Sequence, residues 1–362
     1  MPGETVFSII GARPHFVKAA PLMQAMRASS HRVFTIHSGQ HYDTNMSDIF
    51  FQQLEMPEPD VNLGVGSGTH AYQTAEVMKA VEDLILEMKP IAVVVFGDTN
   101  TTLGAALAAA KQYVQVIHIE AGVRCGNRHM PEEINRSLID DMSDVLACPS
   151  DIAIRNLENE GKADGAINIG DFMYDTFLFA QEEAKRANID LSKYGVEEGR
   201  YMLSTLHREE ATNSAERLSE VLDTLGDLGD PVILPMHPRT RALLQREGIP
   251  IERSDGLKII EPVGYIEMVG LLNGSKMVLT DSGGLQKEAF WAGKPCVTLM
   301  NETAWVETIE IGWNILTGLD PQRIRQAVSQ FNTNPPAPPA AVTDLYGEAG
   351  SAERLVKHLG WV

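Results

Sequence analysis

Cysteine, positive charge and long apolar runs are all scarce in this chain of 362 residues, and each scarcity excludes something. The three cysteines, Cys125, Cys148 and Cys296, lie far apart, show no CxxC spacing and cannot all be paired, which argues against a disulfide framework and for a reducing compartment. The 30 basic residues face 49 acidic ones, and a formal charge of −19 opposes nonspecific binding to nucleic acid or to an anionic membrane. An anionic ligand would need its own local basic pocket. No apolar run approaches the length of a membrane span, and the opening MPGETVFSII has neither a basic start nor an Ala-x-Ala cleavage site. A soluble, cytoplasmic protein is the expectation. No HExxH occurs, no metal-ligand set is visible, and the dinucleotide fingerprint GxGxxG follows none of the candidate strands.

What is present is a repeated alternation. Val- and Ile-rich runs recur as TVFSIIG, HRVFTIHSG, IAVVVFG, VQVIHIE, VLACPS and AINIG, then as YMLSTLH, PVILPMH, LKIIEPV, KMVLTDS and CVTLM, with helically spaced segments between them. That alternation predicts stacked βαβ units with parallel sheets covered on both faces. The length and a hydrophobic content of 44% fit two cores, hence two doubly wound α/β domains in tandem. The expected division is 1–170 and 171–349, with a terminal helix at 350–362 crossing back onto the first domain after the proline-rich strap NTNPPAPPAAV, which cannot continue a helix or a central strand.

Ligands of doubly wound sheets bind outside the carboxyl ends of the strands, and the charged clusters fall at such ends. GARPHFVK places Arg13 in the first βα turn and Lys18 about one helical turn later, where unpaired backbone N–H groups and two cations attract an anion. An ordinary turn with two solvated cations would read the same way. LTDSGGLQKEAFWAGKP is more specific: Asp281, Ser282, Gly283 and Gly284 end a strand and start a helix, so that hydroxyl and glycine N–H groups can approach a diphosphate. Glu288 follows one turn later, where it could accept hydrogen bonds from a ribose diol. Asp98 follows the apolar strand IAVVVFG, and His207 with Arg208 follows YMLSTL. The stretch IHIEAGVRCGNRHMPEEINRSL, residues 117–138, sets Glu120, Glu132 and Glu133 beside Arg124, Arg128 and Arg136. A salt-bridged loop explains such a cluster blandly. Carboxylates gathered with a histidine at strand ends also suit proton transfer, because like charges raise one another's pKa.

Taken together and in order, GARPHFVK, GDTNTTLGAALAA, HIEAG, MPEEINR, LHRE, EPVGYIEM and TDSGGLQKEA resemble the non-hydrolysing UDP-N-acetylglucosamine 2-epimerases over essentially the whole chain. The resemblance implies an α/β, GT-B fold: two Rossmann-like domains facing across a cleft. It implies a homodimer that takes a UDP-sugar, needs no cofactor and binds neither nucleic acid nor membrane. It assigns catalysis to Asp98, Glu120, Glu132 and His207. Substrate and UDP contacts go to Arg13, Lys18, Arg124, Arg136, Arg208, His237, Met268, Ser282, Gly283, Gly284 and Glu288.

The C2 proton of a UDP-amino sugar is too weakly acidic for direct removal. An enzyme must oxidise a neighbouring carbon or eliminate UDP across C1–C2, and the missing dinucleotide fingerprint leaves elimination. The resemblance implies UDP-GlcNAc to UDP-ManNAc interconversion through a bound 2-acetamidoglucal. VGYIEM, DSGGLQKEAFWAGKPCVT and WVE are closer to a branch that includes 2-epimerases of UDP-2,3-diacetamido-2,3-dideoxyglucuronate. A hydrolysing epimerase, a GT-B glycosyltransferase and a non-catalytic UDP-sugar sensor remain as alternatives, since fold alone does not decide function. Departures from the common pattern are His15 after Arg-Pro, a shortened loop between Glu120 and Pro131, HREEAT, TAWVE, Met268 in place of a frequent Phe, and Glu76 where a basic residue that helps hold an activating substrate molecule is expected.

Overall fold

The computed structural model describes residues 4–27, 29–39, 51–251, 254–337 and 343–361. They form two compact units, one of residues 1–178 with 343–362 and the other of residues 179–342.

In the first unit the described residues build a seven-stranded parallel sheet, β1 Thr5–Ile10, β2 Arg32–His37, β3 Val61–Asn62, β4 Ala92–Phe96, β5 Gln115–Ile119, β6 Val145–Cys148 and β7 Ala166–Asn168, in the order β3-β2-β1-β4-β5-β6-β7. Strands such as AVVVF in β4 are buried along their whole length, as expected where helices cover both faces. The helix Asn100–Lys111 shows why one cover fits closely. Its Ala105, Ala106, Ala108 and Ala109 are buried, and a Cβ on Gly104 would come within 2.6 Å of the Thr74 carbonyl on the neighbouring helix His70–Met88. Thr99 caps its first turn, accepting from the Thr102 N–H at 3.3 Å.

The second unit has a six-stranded parallel sheet among its described residues: β8 Met202–Thr205, β9 Val232–Pro235, β10 Leu257–Ile260, β11 Met277–Thr280, β12 Cys296–Thr298 and β13 Asn314–Leu316, ordered β10-β9-β8-β11-β12-β13. Leu218, Val221, Leu222 and Leu225, at helical spacing, pack on Val232, Leu234, Met277 and Leu279 to form its core. Each sheet reverses its strand order once, between β1 and β4 and between β8 and β11. Those switch points are where a doubly wound sheet opens a crevice at its strand carboxyl ends.

The division between units lies inside the helix Phe172–Ala187 rather than ahead of it. Phe172 and Phe177 are buried and the Thr176 hydroxyl donates to the Val17 carbonyl at 2.5 Å, whereas Gln181 reaches Asn273 at 3.1 Å, so one continuous helix serves both cores. The return to the first unit also begins before residue 350: Tyr346 is fully buried and its carbonyl accepts from the Asp171 N–H at 3.2 Å. The helix Ser351–His358 packs Ala352, Leu355 and Val356 inward, against the helix Arg13–Met26. Asp175 holds its start, accepting from the Gly350 and Ser351 N–H groups at 2.8 Å each. Caps of this kind contribute about 1 kcal/mol. Of the proline-rich strap, residues 335–337 are irregular, and 338–342 lie outside the described residues.

Candidate active site

In the first unit the expected residues converge at the switch point. Lys18, on the helix after β1, reaches under Gly97 to Glu120, with Nζ 2.6 Å from Oε1 and both side chains nearly buried. Gly97 is required there twice over. Its φ is +63°, and a Cβ would stand 3.1 Å from the Lys18 ammonium. Glu120 itself has φ +76°, a left-handed backbone that disfavours any residue with a Cβ and that recurs at functional sites. Asp98, one residue beyond Gly97, accepts from Arg136 Nη2 at 2.5 Å, and the same guanidinium reaches Glu133 at 2.9 Å.

The structure corrects the idea of carboxylates crowding one another. Asp98 and Glu120 are each paired with a cation. Arg136 shows the balance: burial works against its charge, but Asp98 and Glu133 more than offset that and raise its pKa above the ordinary arginine value. Burial likewise pushes Glu133 up, yet the N–H groups of Cys125 and Gly126 and the Arg136 guanidinium bring its carboxyl below the usual range. Glu132 differs. It sits in the first turn of the helix Pro131–Met142, half-buried, and its side chain makes no hydrogen bond or ion pair among the described residues.

Arg124 is not left available as the expected diphosphate cation. Its guanidinium is spent inside the unit, on Asp140 at 2.7 Å, on both oxygens of Glu160 at 2.7 and 2.9 Å and on the Val123 carbonyl at 2.9 Å. The hydrogen bond from Arg124, above all, lowers the Glu160 carboxyl to about 2. Here the salt-bridged-loop explanation of the charge cluster is correct. Arg13 begins its helix at the expected place, but its side chain lies outside the described set.

In the second unit His207 and Arg208 follow β8 and meet the turn after β11. Asp281 is buried and joins the two: one oxygen lies 3.0 Å from His207 Nδ1, and the other accepts from the His207 and Arg208 N–H groups at 2.7 and 2.8 Å. Burial pushes the Asp281 carboxyl up, but His207 and these N–H groups lower it below its ordinary value. The His207 ring thus faces Asp281 through Nδ1, on a side chain that is 49% exposed. Sequence reading placed Asp281 in the turn without giving it this task; its signal was a strand-end acid beside a histidine that needed an orienting partner.

Ser282 caps the helix Gly283–Trp291, accepting from the Leu285 N–H at 3.4 Å, so Gly283 and Gly284 present the open first turn of that helix. A Cβ on Gly283 would meet the Trp305 indole nitrogen at 3.3 Å. Glu288, one turn on, accepts from the Tyr265 hydroxyl at 2.8 Å. Met268 lies half-buried on the helix Tyr265–Gly274, and His237 half-buried beyond β9. The Arg208 side chain is half-buried and makes no hydrogen bond or ion pair among the described residues.

Each unit therefore sets ionisable groups at its own switch point, with an open helix N-terminus among them in the second. Residues 24–360 match the family model described as UDP-N-acetylglucosamine 2-epimerase. A UDP-N-acetylglucosamine 2-epimerase homolog of Methanococcus maripaludis is 44% identical, over 98% of this chain and 99% of that one. UDP-2,3-diacetamido-2,3-dideoxy-D-glucuronate 2-epimerase of Pseudomonas aeruginosa is likewise 44% identical, over 98% and 99%. The crystal structure of Methanocaldococcus jannaschii UDP-GlcNAc 2-epimerase in complex with UDP-GlcNAc and UDP is 36% identical and superposes with a TM-score of 0.89 over 99% of this chain and 100% of that one. These matches agree with two Rossmann-like α/β domains of GT-B type, and the chain belongs to the UDP-N-acetylglucosamine 2-epimerase family.

Proposed function

We propose that this protein is a non-hydrolysing 2-epimerase that interconverts UDP-GlcNAc and UDP-ManNAc. A base removes the C2 proton, the C–H electron pair becomes the C1–C2 double bond, and the C1–O bond breaks with its electrons leaving on UDP. UDP then returns through the same oxygen to C1 of the 2-acetamidoglucal while an acid delivers a proton to the other face of C2. No net oxidation occurs, so no redox cofactor is required. Asp98, Glu120, Glu132 and His207 carry the proton transfers and the departure of UDP. The Ser282-Gly283-Gly284 turn, with Arg13 and Arg208, holds the diphosphate, Glu288 the ribose, and Met268 and His237 complete the nucleotide site. Lys18 and Arg136 serve the carboxylates directly and the departing charge through them. The observation that carries this reading is the pair of cation-bound carboxylates, Asp98–Arg136 and Glu120–Lys18, at the carboxyl ends of the neighbouring strands β4 and β5.

A second substrate is favoured by one observation. Arg208 is half-buried beside His207 with no side-chain partner among the described residues, and under this second reading it meets a sugar carboxylate instead of the diphosphate. UDP-2,3-diacetamido-2,3-dideoxyglucuronate, the substrate named for the Pseudomonas relative, has such a group at C6. Offered both nucleotide sugars at equal concentration and followed by NMR, the enzyme is expected to show the higher kcat/KM on UDP-GlcNAc. A preference for the uronate above about a hundredfold, the scale of a well-placed charge contact, would reverse the assignment.

We also propose a homodimer acting in the cytoplasm, where its free cysteines Cys125, Cys148 and Cys296 stay reduced. Tyr72 and Leu86 on the helix His70–Met88, and Ile134 and Leu138 on the helix Pro131–Met142, leave large apolar side chains 45–58% exposed, which a second copy of the chain could cover. Sedimentation at micromolar concentration is expected to give twice the mass of the chain; a monomer there would refute the assignment.

A further inference from the structure

One buried group belongs to none of these roles. His118, on β5 two residues before Glu120, is fully buried, with Nδ1 2.7 Å from Asp140 Oδ1 and Nε2 2.8 Å from the Gly97 carbonyl. The second oxygen of Asp140 accepts from the Gly122 N–H at 3.2 Å and from Arg124 Nη2 at 2.7 Å. A carbonyl can only accept. Donors also surround Asp140, and although burial pushes its carboxyl up, His118 and Arg124 lower it below the usual range. Nε2 therefore donates to the Gly97 carbonyl, while Nδ1 and Asp140 share the other hydrogen bond. Arg124 and the Cys148 thiol, which burial and Asp140 push up, are the other titratable groups interacting with Asp140, and Glu160 anchors Arg124 from behind.

The two ends of this chain of bonds lie at the two carboxylate turns. Gly97 has φ +63° and immediately precedes Asp98; Gly122 has φ +75° and follows Glu120, itself at φ +76°, by two residues. We propose that His118 and Asp140 form a positioning pair that locks the turn bearing Asp98 to the turn bearing Glu120, and so sets the distance between the two carboxylates. The proposal rests on the catalytic reading of Asp98 and Glu120. Arg124 and Glu160 hold Asp140 in place, which gives Arg124 a function in catalysis without contact to substrate.

The pair is tested by Asp140→Asn measured beside Glu120→Gln. A small shift of a reacting group costs up to about a hundredfold in rate, so Asp140→Asn is expected to lower kcat by about ten- to a hundredfold and to leave KM and UDP affinity within about twofold. A role in stability alone would lower the melting temperature and leave kcat per folded molecule unchanged, which would overturn the proposal. If Glu120→Gln is inactive while Asp140→Asn turns over like the parent enzyme, positioning fails and the catalytic reading stands. If Glu120→Gln keeps its kcat, the catalytic reading falls and takes the proposal with it. Should Asp140→Asn not fold, Arg124→Lys, which loosens the hold on Asp140 while keeping the charge, is expected to lower kcat several-fold with KM unchanged. Full turnover per folded molecule in that variant would overturn the proposal.

Discussion

Asp98→Asn, Glu120→Gln and Glu132→Gln are each expected to lose two to four orders of magnitude in turnover, about the scale of a positioned acid or base, while UDP affinity changes little. The expectation follows from how differently the three are held. Asp98 and Glu120 lie against Arg136 and Lys18, so the amide variants remove both a proton-transfer group and half of an ion pair. Some loss of stability is expected from these two, because each leaves a partly buried cation underpaired. Glu132 has no such partner among the described residues, so Glu132→Gln separates the two effects: turnover is expected to fall with the melting temperature unchanged. Ser282→Ala is expected to act the other way, weakening nucleotide binding more than turnover, since it changes the turn that receives the diphosphate. Carboxylate variants that melt early yet keep full turnover per folded molecule would mean that the cluster is only a salt-bridged loop.

The alternation of apolar runs and helical spacing was enough to read two parallel sheets, because strands buried on both faces are almost wholly apolar, as in AVVVF and MVLT. The strand ends carrying Asp98, Glu120, His207 and Ser282 were legible for the same reason: each charge or hydroxyl follows within two residues of an apolar strand. Pairing was not legible. Arg124 looked like a free cation because Glu160 lies 36 residues away and Asp140 is on another helix, so its neutralisation exists only in the fold. Asp281 read only as part of a turn for the same cause, and Asp140 gave no signal at all. Their work is to hold His207 and His118, and long-range hydrogen bonds leave no mark on local spacing. The division inside the helix Phe172–Ala187 escaped notice because an amphipathic helix does not announce that its two halves serve different cores.

The central claim is that the C2 proton leaves and returns while the sugar stays with the enzyme. Its most direct measurement is NMR of a UDP-N-acetylhexosamine incubated with the protein in D2O, with no nicotinamide and no metal added. Elimination and re-addition require the glucal to be reprotonated from a group that has exchanged with solvent. Deuterium should therefore replace the C2 proton in both epimers while the nucleotide sugar is recovered intact. Epimerisation with the original proton retained at C2, or stoichiometric release of free sugar in place of intact UDP-sugar, would contradict the account.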